Sequence, residues 1–122
     1  MATNVLIAED EPHLVELLKF ILEREGFHAD AVFDGEAAVD TLRRDIPDVM
    51  ILDLMLPKLD GYEVLKTVRN DDRLAKLPVL MLTAKGQDKD RKVAEDLGVN
   101  AFITKPFSNR EVVDCVVGLA GQ

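Results

Sequence analysis

Residues 49–57 read Val49-Met50-Ile51-Leu52-Asp53-Leu54-Met55-Leu56-Pro57. Four apolar side chains in a row, with no polar face, suit a strand of a parallel sheet covered on both sides by helices. The run ends on a carboxylate, Asp53. Working outward, the same texture returns at Val5-Leu6-Ile7-Ala8, Val79-Leu80-Met81-Leu82 and Ala101-Phe102-Ile103, with a weaker, alternating version over residues 27–32. Between these blocks the spacing is helical. Leu14, Leu17, Leu18, Ile21 and Leu22 make one buried stripe, with Pro12 in the first turn and Gly26 as a left-handed cap. A second helix starts at Gly35 behind the N-cap Asp34 and carries Ala37, Ala38 and Leu42. A third follows Asp60-Gly61 with Val64, Leu65 and Val68 inward. A fourth covers residues 87–97 and stops at Gly98, and a fifth starts after Ser108. Strand and helix alternate five times. This predicts an α/β fold, (βα)5, whose doubly wound five-stranded parallel sheet has the order 2-1-3-4-5 in a flavodoxin-like three-layer sandwich.

The chain has 122 residues, enough for one domain with one sheet. Its 23 acidic and 15 basic side chains leave a net charge of -8, which disfavours direct nucleic-acid binding and an anionic membrane surface. The single cysteine, Cys115, excludes an internal disulfide and a multi-cysteine metal site. No export signal opens the sequence, and no apolar run approaches the ~20 residues of a membrane helix. A cytoplasmic protein is the expectation.

Parallel sheets gather chemistry outside the carboxyl ends of their strands, where the strand order reverses. In the order 2-1-3-4-5 that edge collects Glu9 and Asp10 after the first strand, Asp53 after the third, Thr83 after the fourth and Lys105 after the fifth. Singly, each has an ordinary explanation: acids favour a helix N-terminus, threonines end strands, and lysines are solvated. Together they make a different case. Two carboxylates about 5 Å apart repel by roughly 3 kcal/mol at an effective dielectric of 20. One lysine does not balance three of them, whereas a hard divalent ion such as Mg²⁺, bound by carboxylates and a phosphate, would. Acids, a lysine and a hydroxyl around one point suit phosphoryl transfer to a carboxylate.

Through these motifs (Glu9-Asp10, Asp53 within Leu52-Asp53-Leu54-Met55-Leu56-Pro57, Asp60-Gly61, Thr83-Ala84, Lys105-Pro106-Phe107), the whole chain, residues 1–122, resembles the receiver domain of bacterial two-component response regulators. The resemblance implies that Asp53 accepts a phosphoryl group from a phosphohistidine on a sensor histidine kinase or phosphotransfer protein. It implies that Glu9, Asp10, Asp53 and the backbone carbonyl of Met55 hold Mg²⁺. Lys105 and Thr83 would contact the phosphoryl group, and Phe102 would take the aromatic switch position. A cis peptide before Pro106 is implied as well. The fourth helix, fifth strand and fifth helix would present the switched face to a downstream protein target or output domain, or to a second copy in a homodimer. A receiver of this kind turns over no external substrate; it catalyses only its own phosphorylation and self-dephosphorylation.

Some residues depart from relatives that carry winged-helix output domains. Asn100, Ala101 and Phe102 stand where those have two acids and a tyrosine, and Asp114 and Gly118 stand where they have basic residues, so their salt-bridged dimer is not expected here. Met55 and Lys85 flank the pocket without offering help to an attacking water, which predicts slow self-dephosphorylation. On the fifth helix, Val113, Val116, Val117 and Ala120 read as the core stripe, leaving Val112, Cys115 and Leu119 as a second apolar face for a partner, or as part of a fully wrapped helix. The fourth helix is the least apolar and the candidate for mobility. Three other functions fit less well. A flavodoxin-type cofactor module would need a glycine- and hydroxyl-rich loop where Glu9-Asp10-Glu11 stands. An aspartyl-nucleophile phosphohydrolase would carry its nucleophile on the first strand. A receiver-like interaction module that is never phosphorylated would not need the intact acid set. Whether the domain stands alone or belongs to a longer regulator is left open.

Overall fold

Strands β1 (Asn4–Ala8), β2 (His28–Val32), β3 (Val49–Leu52), β4 (Val79–Thr83) and β5 (Ala101–Thr104) alternate with helices α1 (Pro12–Arg24), α2 (Gly35–Arg44), α3 (Gly61–Asn70), α4 (Asp88–Asp96) and α5 (Asn109–Ala120). These come from a computed structural model that describes residues 3–84 and 86–121. All strand pairs are parallel and the order is β2-β1-β3-β4-β5, as the sequence pattern predicts. Among the described residues no helix is long and apolar enough to cross a membrane.

The continuous apolar blocks are explained by two cores, one on each face of the sheet. Leu6, Ala8, Met50, Leu52, Val79 and Met81 face α2, α3 and α4. Their neighbours Val5, Ile7, Val49, Ile51, Leu80 and Leu82 face α1 and α5. Each fully buried Leu, Ile or Val contributes roughly 1.5–3 kcal/mol, so both faces must stay covered. The helix starts follow the sequence reading. Asp34 accepts from the Ala37 amide (2.7 Å), Asp60 from Glu63 (3.0 Å) and Ser108 from Glu111 (3.1 Å). After α1 and α4 the chain turns through Gly26 and Gly98 at φ 91° and 93°, a region that favours glycine.

Two helix faces differ from expectation. Leu17 is exposed, and the buried line of α1 is Val15, Leu18, Ile21 and Leu22. On α5 the buried residues are Val112, Val113, Val116 and Leu119, while Val117 is 51% exposed. The expected second apolar face is therefore core, and Val112 and Leu119 are not free for a partner. At 100° per residue, stripes one position apart look alike in sequence; only the packing direction separates them.

At the N-terminal edge of the sheet, Arg69 of α3 acts as a staple. Its Nε and Nη2 donate to Gly98 O (2.9 and 2.7 Å), Nη2 also to Asn100 Oδ1 (2.9 Å), and Nη1 to Leu77 O (2.8 Å) and Ala75 O (3.2 Å). Asn100 Oδ1 in turn accepts from the Val79 amide at 2.8 Å. Burial lowers the Arg69 pKa from its ordinary value, and these acceptors offset the loss of water.

Candidate functional site

The last paired row across β1 and β3 is Ala8–Leu52, so Glu9 and Asp53 take the next positions at the carboxyl edge. Two main-chain bonds fix them: the Glu9 amide donates to Val32 O (3.1 Å) and the Asp53 amide to Ala8 O (3.0 Å). Both side chains are buried, at 2% and 5% exposure. Asp53 Oδ1 accepts from the Met55 amide at 3.1 Å, and Glu9 Oε2 from the Glu11 amide at 3.2 Å. Asp10 is exposed beside them. One carboxylate oxygen from each of Glu9, Asp10 and Asp53 lies within 4.8 Å of the others.

Lys105 enters from β5. Its amide donates to Thr83 O (2.8 Å), extending the β4–β5 ladder by one step. Its ammonium donates to Glu9 Oε1 at 2.8 Å and to Asp53 Oδ2 at 3.2 Å. Burial alone would lower the Lys105 pKa, but the bond to Glu9 and the charge of Asp53 outweigh it and hold the pKa above its ordinary value. Burial dominates at Glu9, with the Asp53 charge adding to it, and its pKa is raised despite the bond to Lys105. The cluster is electrically unfinished. Three carboxylates against one ammonium leave two negative charges, and every donor atom is a hard oxygen, the set that suits Mg²⁺ or Mn²⁺.

Thr83, the last residue of β4, is fully buried, and the Lys105–Pro106 peptide is cis, as the resemblance implies. Phe102 is 9% exposed, and the Arg91 guanidinium lies over its ring at 4.8 Å. A hollow of about 370 Å³, lined by Asp10, Leu54, Met55, Leu56, Pro57 and Asp60, opens beside the acids, with the exposed Met55 side chain at its rim. Lys85 lies outside the described residues. Close packing holds the β3–α3 loop, since a Cβ on Gly61 would sit 2.6 Å from Asp53 O and 2.7 Å from Leu54 Cα. The structure thus brings Glu9, Asp10, Asp53 and Lys105, expected at this edge from the sequence, to one place. Sequence reading misses Tyr62, Asp90 and Arg91, which tie α4 to its neighbours; nothing in their spacing marks them.

Known proteins share this fold. The response regulator receiver domain family matches residues 5–117. Response regulator GtcR of Aneurinibacillus migulanus is 42% identical over 113 residues, covering 93% of this chain and 46% of that protein; the chain spans about half its length. The receiver domain of a signal transduction histidine kinase from Syntrophus aciditrophicus superposes with a TM-score of 0.92 at 33% identity, over 98% of this chain and 91% of that one. The receiver domain of sensor histidine kinase PA1611 from Pseudomonas aeruginosa PAO1, whose structure has magnesium coordinated in the active-site cleft, gives 0.92 at 28% identity over all of both chains.

Proposed function

The chain belongs to the response regulator receiver domain family of two-component signalling, and from that premise we propose that Asp53 is its phosphoacceptor, in a reaction that depends on a divalent cation. The observation that carries this reading is the convergence of the Glu9, Asp10 and Asp53 carboxylates within 4.8 Å, two of them, Glu9 and Asp53, bridged by Lys105. Glu9, Asp10 and Asp53, with the Met55 carbonyl, would hold Mg²⁺; when bound, the ion supplies positive charge that carboxylate and phosphoryl oxygens can share. The magnesium in the PA1611 receiver supports the same choice of metal here.

An Asp53 carboxylate oxygen attacks phosphorus. The P–N bond of a kinase or phosphotransfer phosphohistidine breaks, and the electron pair leaves with the imidazole. Lys105 already touches Asp53 and would follow the new phosphoryl oxygens, exchanging its bond to Glu9 for one to them. The Thr83 hydroxyl, on the adjoining strand, donates to the same group. The product replaces one carboxylate with a roughly dianionic group, a local change of charge that biases α4, β5 and Phe102. The resulting α4–β5–α5 face is read by a downstream protein or output domain, or by a second copy of the chain, and the chain itself turns over no other substrate.

The test is labelling by acetyl phosphate. With Mg²⁺ the chain takes up one phosphoryl group; with EDTA, or as Asp53→Asn, it takes up none. Label that survives in Asp53→Asn, or that ignores the metal, would overturn the assignment. No labelling at all would favour an unphosphorylated interaction module.

A further inference from the structure

The first turn of α4 carries neighbouring side chains that hold different elements. Asp90 is 6% exposed, and Tyr62 of α3 places its hydroxyl 3.3 Å from both the Asp90 main-chain oxygen and Oδ1. A phenol has one proton and serves one acceptor at a time. Asp90 Oδ2 is buried with no hydrogen-bond partner among the described residues. A carboxylate out of water therefore shares a single donor with its own backbone, an arrangement that favours any position giving it water. Beside it, Arg91 lies over the Phe102 ring and donates to Phe102 O at 3.5 Å. Moving this turn would uncover Phe102. Little else restrains it, since Ala94 is the other buried residue of α4.

We propose that Tyr62 and Asp90 form a weak latch for α4, in which the Tyr62 hydroxyl holds the helix down and the buried Asp90 charge pushes it up. They are positioning residues. Their link to signalling rests on the phosphoacceptor reading; the latch itself does not. Burial, and after it the Asp90 charge, raises the Tyr62 pKa, so the hydroxyl keeps its proton through the neutral range.

The two side chains act in opposite senses, which sets the latch apart from a simple brace. Amide hydrogen exchange over residues 88–96 of the full chain, without phosphodonor, reads the equilibrium directly. Tyr62→Phe should speed exchange there about tenfold by removing the donor. Asp90→Asn keeps the shape and removes the charge, and should slow exchange several-fold. Unchanged protection in β3 and β4 shows that both variants are folded. Faster exchange in Asp90→Asn, or no change in Tyr62→Phe, would overturn the latch. In a second arm, acetyl phosphate labelling should run fastest in Tyr62→Phe and slowest in Asp90→Asn. Equal labelling rates alongside the expected exchange pattern would overturn the coupling to Asp53 and leave the latch standing. Absent labelling in all three would count against the phosphoacceptor reading, with the exchange arm still deciding the latch.

Discussion

Glu9 bonds Lys105 at 2.8 Å, yet burial keeps its carboxyl above the ordinary pKa. A carboxyl whose folded pKa is raised contributes stability that is fully present below its unfolded pKa and is lost as pH rises through the folded one. Ionised Glu9 is thus a burden on the metal-free fold. In EDTA, the Tm of Glu9→Gln should move upward relative to the unsubstituted chain as pH rises from the acid range to neutrality, and Mg²⁺ should then raise only the Tm of the unsubstituted chain. A Tm difference that is flat with pH would contradict this. Lys105→Met removes the cation between two buried acids and should cost about 3 kcal/mol in urea unfolding without metal. At this scale the sequence is legible where a polar residue interrupts apolar strands, as Asp53 does. It is silent on Tyr62 and Asp90, because a tyrosine near a helix start and an acid in a polar helix are ordinary in any chain.

Helix α5 shows what an element hides. Its N-cap, Ser108, is readable because capping needs a particular residue type at a particular place. Its buried face is not, since a run of valines and a leucine offers two neighbouring stripes. The structure chooses Val112, Val113, Val116 and Leu119 because these meet Val5, Ile7, Leu80 and Leu82 under the sheet. Val112→Glu should therefore cost roughly 4 kcal/mol by burying an unpaired charge. Val117→Glu should stay within about 0.5 kcal/mol in the same urea titration, and a reversal of that order would mean the helix is rotated. In the β3–α3 loop, Gly61→Ala brings a methyl against the Asp53 carbonyl. Lower stability and slower acetyl phosphate labelling are expected together, because the displaced backbone carries the proposed nucleophile.

Across the whole molecule, strand order and site are one fact. The order β2-β1-β3-β4-β5 makes β1 and β3 neighbours, and so brings Glu9 and Asp53 together from residues 44 positions apart. This much follows from the alternation of apolar blocks and helices. The opposite edge carries no such signal: Arg69 ties the ends of α3, α4 and the two loops before β4 and β5 through main-chain oxygens, which leave no mark in a side-chain pattern. Arg69→Ala should lose about 3 kcal/mol of stability in urea unfolding, since it removes five hydrogen bonds and leaves the part-buried Ala75 and Leu77 carbonyls without their donor, while a loss below about 1 kcal/mol would mean solvent replaces the guanidinium freely.

That staple has a consequence for motion. Gly98, just beyond the tail of α4, is pinned by the Arg69 guanidinium, whereas the head of the helix is held by one shared phenolic proton and the long contacts of Arg91 with Phe102. A rod fastened at its heel and loose at its toe can swing but cannot slide. Under the proposed latch, a displacement of α4 would therefore carry Asp88 through a wide arc and Asp96 through a narrow one, the stroke of a lever.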